Sequence, residues 1–308
     1  MRLGLMIEGQ ENVTWDDWRA IASACEDAGL EALFRSDHYL SVQGDPERGS
    51  LDAWATIAAL SAVTSTIKLG TLVSPASFRH PSVLAKNVVT ADHVSGGRVE
   101  VGMGAGWHEA EHRAFGFPFH DTRTRMDVLE EQLQIVNGEW ADGTFSFAGE
   151  HYRLEEVDAL PKPVQRPRPN LIIGGAAGPR SARLAARFAD EYNTFMVAPD
   201  ECARRRGNVL AACEAEGREP LTFSLMTPCL IGRDASEYEE RRERMAKRRD
   251  ESGFAPTGEW IAGTVEEAAE TLRAYEEAGV ERVMLQHLLH DDVDMIEVIG
   301  RRLAPLFV

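Results

Sequence analysis

Short apolar runs alternate with amphipathic runs from one end of this chain to the other, and that alternation constrains the fold more than any other feature. Strand candidates at 3–7, 32–34, 67–73 and 99–103 are followed by helix-forming sequence at 15–28, 51–63, 82–94 and about 109–140. In the first helix Trp18, Ile21, Ala22 and Cys25 recur at helical spacing before Gly29, and Pro81 opens the third. The second half repeats the rhythm with strands at 171–173, 192–195, 222–225 and 282–285. Before them come a small β-hairpin over 144–154, centred on Gly149, and a proline-rich return over 160–169. Eight such units predict an α/β protein: one (β/α)8 TIM-like barrel over 1–308, with an insertion of roughly 108–170 between strands four and five. A doubly wound sheet uses the same alternation, but 308 residues and a count of eight favour the barrel. Residues 234–251 carry mixed charge without a continuous apolar stripe and read as a solvated surface helix.

Charge narrows the range of partners. With 33 Lys and Arg against 50 Asp and Glu, the net charge of −17 repels a phosphate backbone, so neither a nucleic acid nor an anionic membrane is an expected partner. No apolar stretch approaches the roughly 18 residues of a membrane span, and Glu8 interrupts the first apolar run before it could serve as a signal peptide. Cys25, Cys202, Cys213 and Cys229 are too scattered for a disulfide framework or a C-x-x-C pair and read as reduced thiols. A cytoplasmic location is expected.

In a barrel, chemistry collects where strands end, and polar residues cluster there. Glu8 and Gln10 follow the first strand, Ser36, Asp37 and His38 the second, Ser74 the third, and Gln286 and His287 the eighth. The fourth ends in Gly102-Met103-Gly104-Ala105-Gly106-Trp107, which has Trp where a dinucleotide fingerprint needs its last Gly, yet lets a flat ligand approach bare backbone. Next comes His108-Glu109-Ala110-Glu111-His112, a letter-for-letter H-E-x-x-H. A zinc protease carries that motif inside a helix; here it begins directly after a Gly-rich strand end, so no metal site is expected. After strand five, Gly174-Gly175-Ala176-Ala177-Gly178-Pro179-Arg180 opens a helix whose free N–H groups would suit a phosphate. Residues 160–189 hold six basic side chains (Lys162, Arg166, Arg168, Arg180, Arg183, Arg187) and no acidic one, which points to an anion site.

Ser36-Asp37-His38, the run from Asp92 through Arg98 to Trp107, and Leu160-Pro161-Lys162-Pro163-Val164-Gln165 with Gly174-Gly175 together resemble the bacterial-luciferase-like superfamily. Within it the chain is most similar to oxidoreductases that use the deazaflavin coenzyme F420. The resemblance implies a deazaflavin or flavin ring at the strand C-termini, a phosphate at the loop after strand five, a homodimer, and a non-proline cis peptide between Leu72 and Val73. It assigns Asp37 and His38 to the cofactor and active site, Val73 and Ser74 to the bulge beneath the ring, and Gly104, Ala105, Gly106 and Trp107 to the loop beside it. Gly174, Gly175, Ala176 and Ala177 fall on the phosphate loop, with Arg180 next to it. The sugar-phosphate dehydrogenases of the family carry Glu where Trp107 stands, so oxidation of a sugar phosphate is not implied.

The expected activity is hydride transfer between coenzyme F420 and a small organic substrate. His38 is the first candidate acid/base because an imidazole titrates near working pH, with Glu8 and His108 as alternatives. The basic stretch suits the phosphodiester and polyglutamate tail of F420 better than FMN, which ends at its phosphate. The alternatives are an FMN-dependent monooxygenase served by a separate flavin reductase, and a flavin-binding barrel without catalysis. A sugar-phosphate lyase of the same fold would need a Schiff-base lysine or a metal cluster at a strand end, and neither is evident.

Overall fold

Strands covered on both faces require near-continuous apolar runs, and those of this chain close into a barrel. The computed structural model describes residues 1–42, 45, 47–252 and 259–307. The barrel strands are β1 (Arg2–Ile7), β2 (Ala32–Arg35), β3 (Lys68–Pro75), β4 (Val99–Gly104), β7 (Asn170–Gly174), β8 (Glu191–Phe195), β9 (Thr222–Gly232) and β11 (Arg282–His287), each parallel to its neighbours, with β11 returning to β1. Their order is that of the eight sequence-predicted strands. A small cluster of Met6, Ala32, Phe34, Leu72, Ile172 and Met284 fills the interior. The larger core lies outside, between the strands and the helices α1 (Trp15–Asp27), α2 (Ala53–Val63), α3 (Pro81–Ser95), α6 (Pro179–Phe188), α7 (Pro199–Ala215) and α9 (Val265–Glu277). The four cysteines are buried and unpaired.

Local chemistry sets the helix ends. Thr14 with Asp17 and Thr264 with Glu267 form capping boxes at α1 and α9, which satisfy otherwise orphaned N–H groups. Pro81 fits the first turn of α3.

Four features depart from the sequence reading. The helical stretch after β4 splits into α4 (Glu109–Phe115) and α5 (Thr122–Trp140), because Gly116 at φ 72° ends the first and Asp121 caps the second. Within 108–170, α5 packs on α3 and α6 as the barrel's fourth helix, so the added material reduces to α4 and the hairpin of β5 (Phe145–Ala148) and β6 (Arg153–Val157). β9 runs on to Gly232 and pairs with an unforeseen short strand, β10 (Ile261–Thr264). Finally, α8 (Ala235–Ser252) is not solvated all round: Arg241 and Met245 are buried, and the Arg241 guanidinium bonds Asp292 in front of α10 (Val293–Val298). A buried arginine stands in for part of the missing apolar stripe. Among the described residues no helix is long and apolar enough to cross a membrane.

Candidate active site

The strand C-termini surround a cavity of about 680 Å³, within the range of small-molecule sites. Of the sequence-predicted residues, Glu8, His38, Leu72, Val73, Gly104, Ala105, Gly106, Trp107, Gly174, Gly175 and Ala176 line it. Asp37, Ser74, Ala177, His108 and Arg180 are not on its wall. Sequence reasoning missed Asn193, Phe195, Met196 and Met226, whose strands it had placed but whose ends carry no motif.

The floor is built at a bulge. The β3–β4 register slips between Thr71 and Ser74, and the Leu72–Val73 peptide within it is cis. Val73 is thereby turned inward against three glycines: a Cβ on Gly102 or Gly104 would stand 2.7 Å from its methyls, and one on Gly174 3.1 Å. Only bare backbone leaves room for a branched side chain to form a flat floor there. Ser74 is buried behind it, donating to Asp37 (2.6 Å) and accepting from Trp54 Nε1 (3.0 Å). Asp37 also takes a two-pronged bond from Arg79, which continues to Asp52 and Tyr39. Asp37 thus acts as a buried anchor for the β2 and β3 ends.

His38 stands on the wall. Its Nδ1–H donates to Glu111 Oε2 at 2.7 Å, leaving Nε2 for a ligand. The other oxygen of Glu111 accepts the backbone N–H groups of Tyr39 and Leu40, so this fully buried carboxylate ties α4 to the β2 loop. Burial alone would push the His38 imidazole down, but the Glu111 bond and charge, with Glu8 and Asp37, hold it above its ordinary range. Burial likewise works against Glu111, yet His38 and the backbone amides hold it low. Glu8, at the end of the neighbouring strand β1, is fixed between the Gln10 and Gln286 amides. The Trp107 indole lies edge-on to His38 at 5.7 Å and stacks on His108 at 5.1 Å.

The H-E-x-x-H letters do not form a protease site. His108 is the N-cap of α4 with ψ 85°, off the helical path, and its ring lies near Glu111 (3.8 Å) rather than His112. His112 turns away: Nδ1–H donates to the His108 carbonyl (2.8 Å) and Nε2 accepts from Ser77 (2.6 Å). Glu109, which would have to activate water, is exposed and paired with Arg113. His38, His108 and Glu111 do offer ligand atoms within 4.8 Å of one another, a grouping the letters do not spell out. Burial, with His38 and His112 adding, pushes the His108 imidazole down against the pull of Glu111.

A family profile for luciferase-like monooxygenases matches residues 1–282. The chain belongs to the luciferase-like monooxygenase family. It is 34% identical over 192 residues to an FMNH2-dependent dimethylsulfone monooxygenase of Pseudomonas putida, covering 60% of this chain and 50% of that one. It is 31% identical over 220 residues to an F420-dependent hydroxymycolic acid dehydrogenase of Mycobacterium tuberculosis, covering 71% and 59%. The chain thus spans about half to three-fifths of these curated relatives. A solved F420-dependent secondary alcohol dehydrogenase, with an F420-acetone adduct bound, shares the fold with a TM-score of 0.84 at 19% identity, covering 99% of this chain and 98% of that one.

For a luciferase-like protein, the loop after β7 would hold a phosphate, and two details bear on that fit. Gly174, Gly175 and Ala176 present backbone to the cavity, whereas Ala177 is buried at φ 52°, its N–H donating to the Tyr192 hydroxyl (2.7 Å). The basic stretch supplies little free positive charge. Arg180 reaches Asp127 (2.6 Å) and Glu130 (3.0 Å) on α5; Lys162, Arg166, Arg168 and Arg187 pair with Asp158, Asp142, Asp190 and Glu130. Among the described residues Arg183 alone of the six has no ion pair. The open backbone floor nonetheless fits a flat ring resting on Val73, with its tail toward Gly174–Ala176.

Proposed function

We propose that the chain is a coenzyme F420-dependent oxidoreductase that transfers a hydride between the deazaflavin and a small organic substrate. The observation that carries the reading is the His38–Glu111 pair, with one imidazole nitrogen clamped and the other facing a cavity floored by backbone. Val73 and the glycines around it would support the ring, and the 174–176 backbone its phosphate end. When bound, F420 supplies a two-electron hydride donor or acceptor that does not readily activate oxygen. What remains for the chain itself is to align the substrate and move one proton per hydride. His38 is suited to moving that proton, because Glu111 favours the protonated imidazole and clamps Nδ1, so that Nε2 is the nitrogen presented to substrate. Glu8, held by two amides at the adjacent strand end, is placed to orient a polar group of the substrate.

The F420-dependent relative supports this choice of cofactor. The similarity to the FMNH2-dependent monooxygenase favours a second reading, an FMN enzyme served by a separate reductase, and the neutralised basic stretch removes one argument against it. Titrating the purified protein with F420 and with FMN, followed by fluorescence, separates the two. F420 is expected to saturate at a concentration at least tenfold lower; tighter FMN binding would overturn the F420 reading. Assembly as a cytoplasmic homodimer belongs to the same proposal, and light scattering reads out the mass.

A further inference from the structure

Three ligand-bearing side chains from separate parts of the chain converge beside the cavity. Glu111 Oε2 lies 2.7 Å from His38 Nδ1 and 3.8 Å from His108 Nδ1, and the ligand atoms of the three residues all fall within 4.8 Å of one another. Four-coordinate zinc holds nitrogen and oxygen ligands at about 2.0–2.2 Å, which sets neighbouring ligand atoms roughly 3.3 Å apart. The two spacings to Oε2 bracket that value, so each imidazole has to move by only about half an ångström to share an ion with the carboxylate.

Each member is already oriented from outside the cluster. Glu111 Oε1 accepts the Tyr39 and Leu40 N–H groups, which leaves Oε2 to face the two imidazoles. The Trp107 indole stacks on His108, and the His38 ring stands edge-on to His108 at 6.0 Å. Outer support of this kind is what fixes ligand orientation at metal sites. The decisive detail is His108 Nδ1, a buried nitrogen that among the described residues has no hydrogen-bond partner. Leaving such an atom unpaired costs free energy. The proton between His38 and Glu111 does nothing for it, whereas an ion would bond all three groups.

We propose that His38, His108 and Glu111 form a binding site for a divalent first-row transition ion of the Zn2+ type, taken up in place of the proton that His38 Nδ1 shares with Glu111. Two imidazoles and one carboxylate select such an ion over Mg2+ or Ca2+, which prefer all-oxygen shells. Three protein ligands leave a fourth position for water. Both imidazoles are partly exposed, which gives the ion a way in. The arrangement differs from that of a zinc protease, since it omits Glu109 and His112 and takes one ligand from the β2 loop, 73 positions before Glu111. A bound ion would clamp the β2 loop to α4. Under the hydride-transfer reading the loaded protein is the inactive form, because His38 is then held as a ligand; the binding itself does not rest on that reading.

The test uses Co2+ as a spectroscopic stand-in for Zn2+. Purified protein freed of metal by chelator is titrated with Co2+, and the strong visible absorption of a four-coordinate site is expected to saturate at one ion per chain and to be abolished by one equivalent of Zn2+. His108→Ala and Glu111→Gln should each weaken binding by about a hundredfold or more, beyond the loss that follows when only an outer support is removed. Glu109→Gln, at an exposed residue paired with Arg113, should bind as wild type does. No saturable absorption, its survival in His108→Ala or Glu111→Gln, or its loss in Glu109→Gln overturns the proposal. Circular dichroism checks that each variant is folded; should Glu111→Gln fail to fold, His108→Ala, at a partly exposed position, decides alone. F420 titration of the same metal-free sample keeps the readings apart: Co2+ bound without F420 binding removes the hydride reading alone, and F420 bound without a Co2+ site removes this one alone.

Discussion

Buried charge occurs at both ends of this barrel, and the two ends use it differently. At the N-terminal end Arg282 is enclosed among strands, bonding Glu100 (2.6 Å) and Glu191 (3.0 Å) and lying over the Phe34 ring. Arg282 holds Glu100 low against the push of burial, while burial prevails at Glu191 and raises it. At the C-terminal end His38 has a single carboxylate partner and one edge in a cavity. Burial of charge therefore does not by itself mark a site. A charge whose partners enclose it holds strands together, and one with a single partner and an open side is available for chemistry.

The largest expected effect breaks the lower end. Arg282→Leu leaves Glu191 buried without a counter-charge and Glu100 with Lys68 alone and should cost roughly 3–5 kcal/mol in urea unfolding, while cofactor affinity of the folded fraction stays unchanged. A loss of cofactor affinity without a loss of stability would erase the distinction. At the upper end, His38→Ala should lower turnover about 10²–10⁴-fold with cofactor binding kept; a near-normal rate would remove His38 from its role. Gly104→Ala sets a Cβ 2.7 Å from the Val73 side chain and should weaken cofactor binding by about 1–3 kcal/mol through displacement of the floor, measurable in the same titration.

The pH dependence sharpens the contrast further. Because His38 titrates above 6.5 in the fold, its protonated form stabilises the folded state. That contribution is fully present below pH 6.5 and is lost as pH rises through the higher folded value, so the stability gap between wild type and His38→Gln should close at alkaline pH. Turnover that draws on the His38 proton should decline over the same rise. In Glu111→Gln the alkaline limb should move to lower pH; an unmoved limb would show that Glu111 does not set the His38 proton. The smallest effect is expected at Arg180, whose partly exposed ion pairs are worth about 0–1 kcal/mol. Arg180→Ala should leave cofactor affinity and its salt dependence unaltered.

Much of the fold was legible because it rests on local periodicity. The eight barrel strands, the caps at Pro81 and Gly29, and the glycines at the ends of β4 and β7 all follow from residues within a few positions of one another. The candidate site was legible in outline for the same reason, since Glu8, His38 and Trp107 stand directly after apolar runs. Glu111 was hidden inside a motif that drew attention to Glu109. Its role depends on His108 being an N-cap, which turns the helix so that the second Glu, not the first, faces inward. Arg180 shows the opposite error: a window of 30 residues counted six cations, while the carboxylates that neutralise Arg180 lie 50 and 53 positions earlier.

By itself the sequence determined the barrel and the ring of strand ends, because hydrophobic spacing and backbone permissiveness act between neighbours along the chain. Only the tertiary structure decided which charge meets which: Glu111 with His38, Arg282 with Glu100 and Glu191, Arg180 with Asp127 and Glu130. Ion pairing falls off over a few ångströms and is indifferent to sequence separation, so it is settled when the helices and strands are already in place.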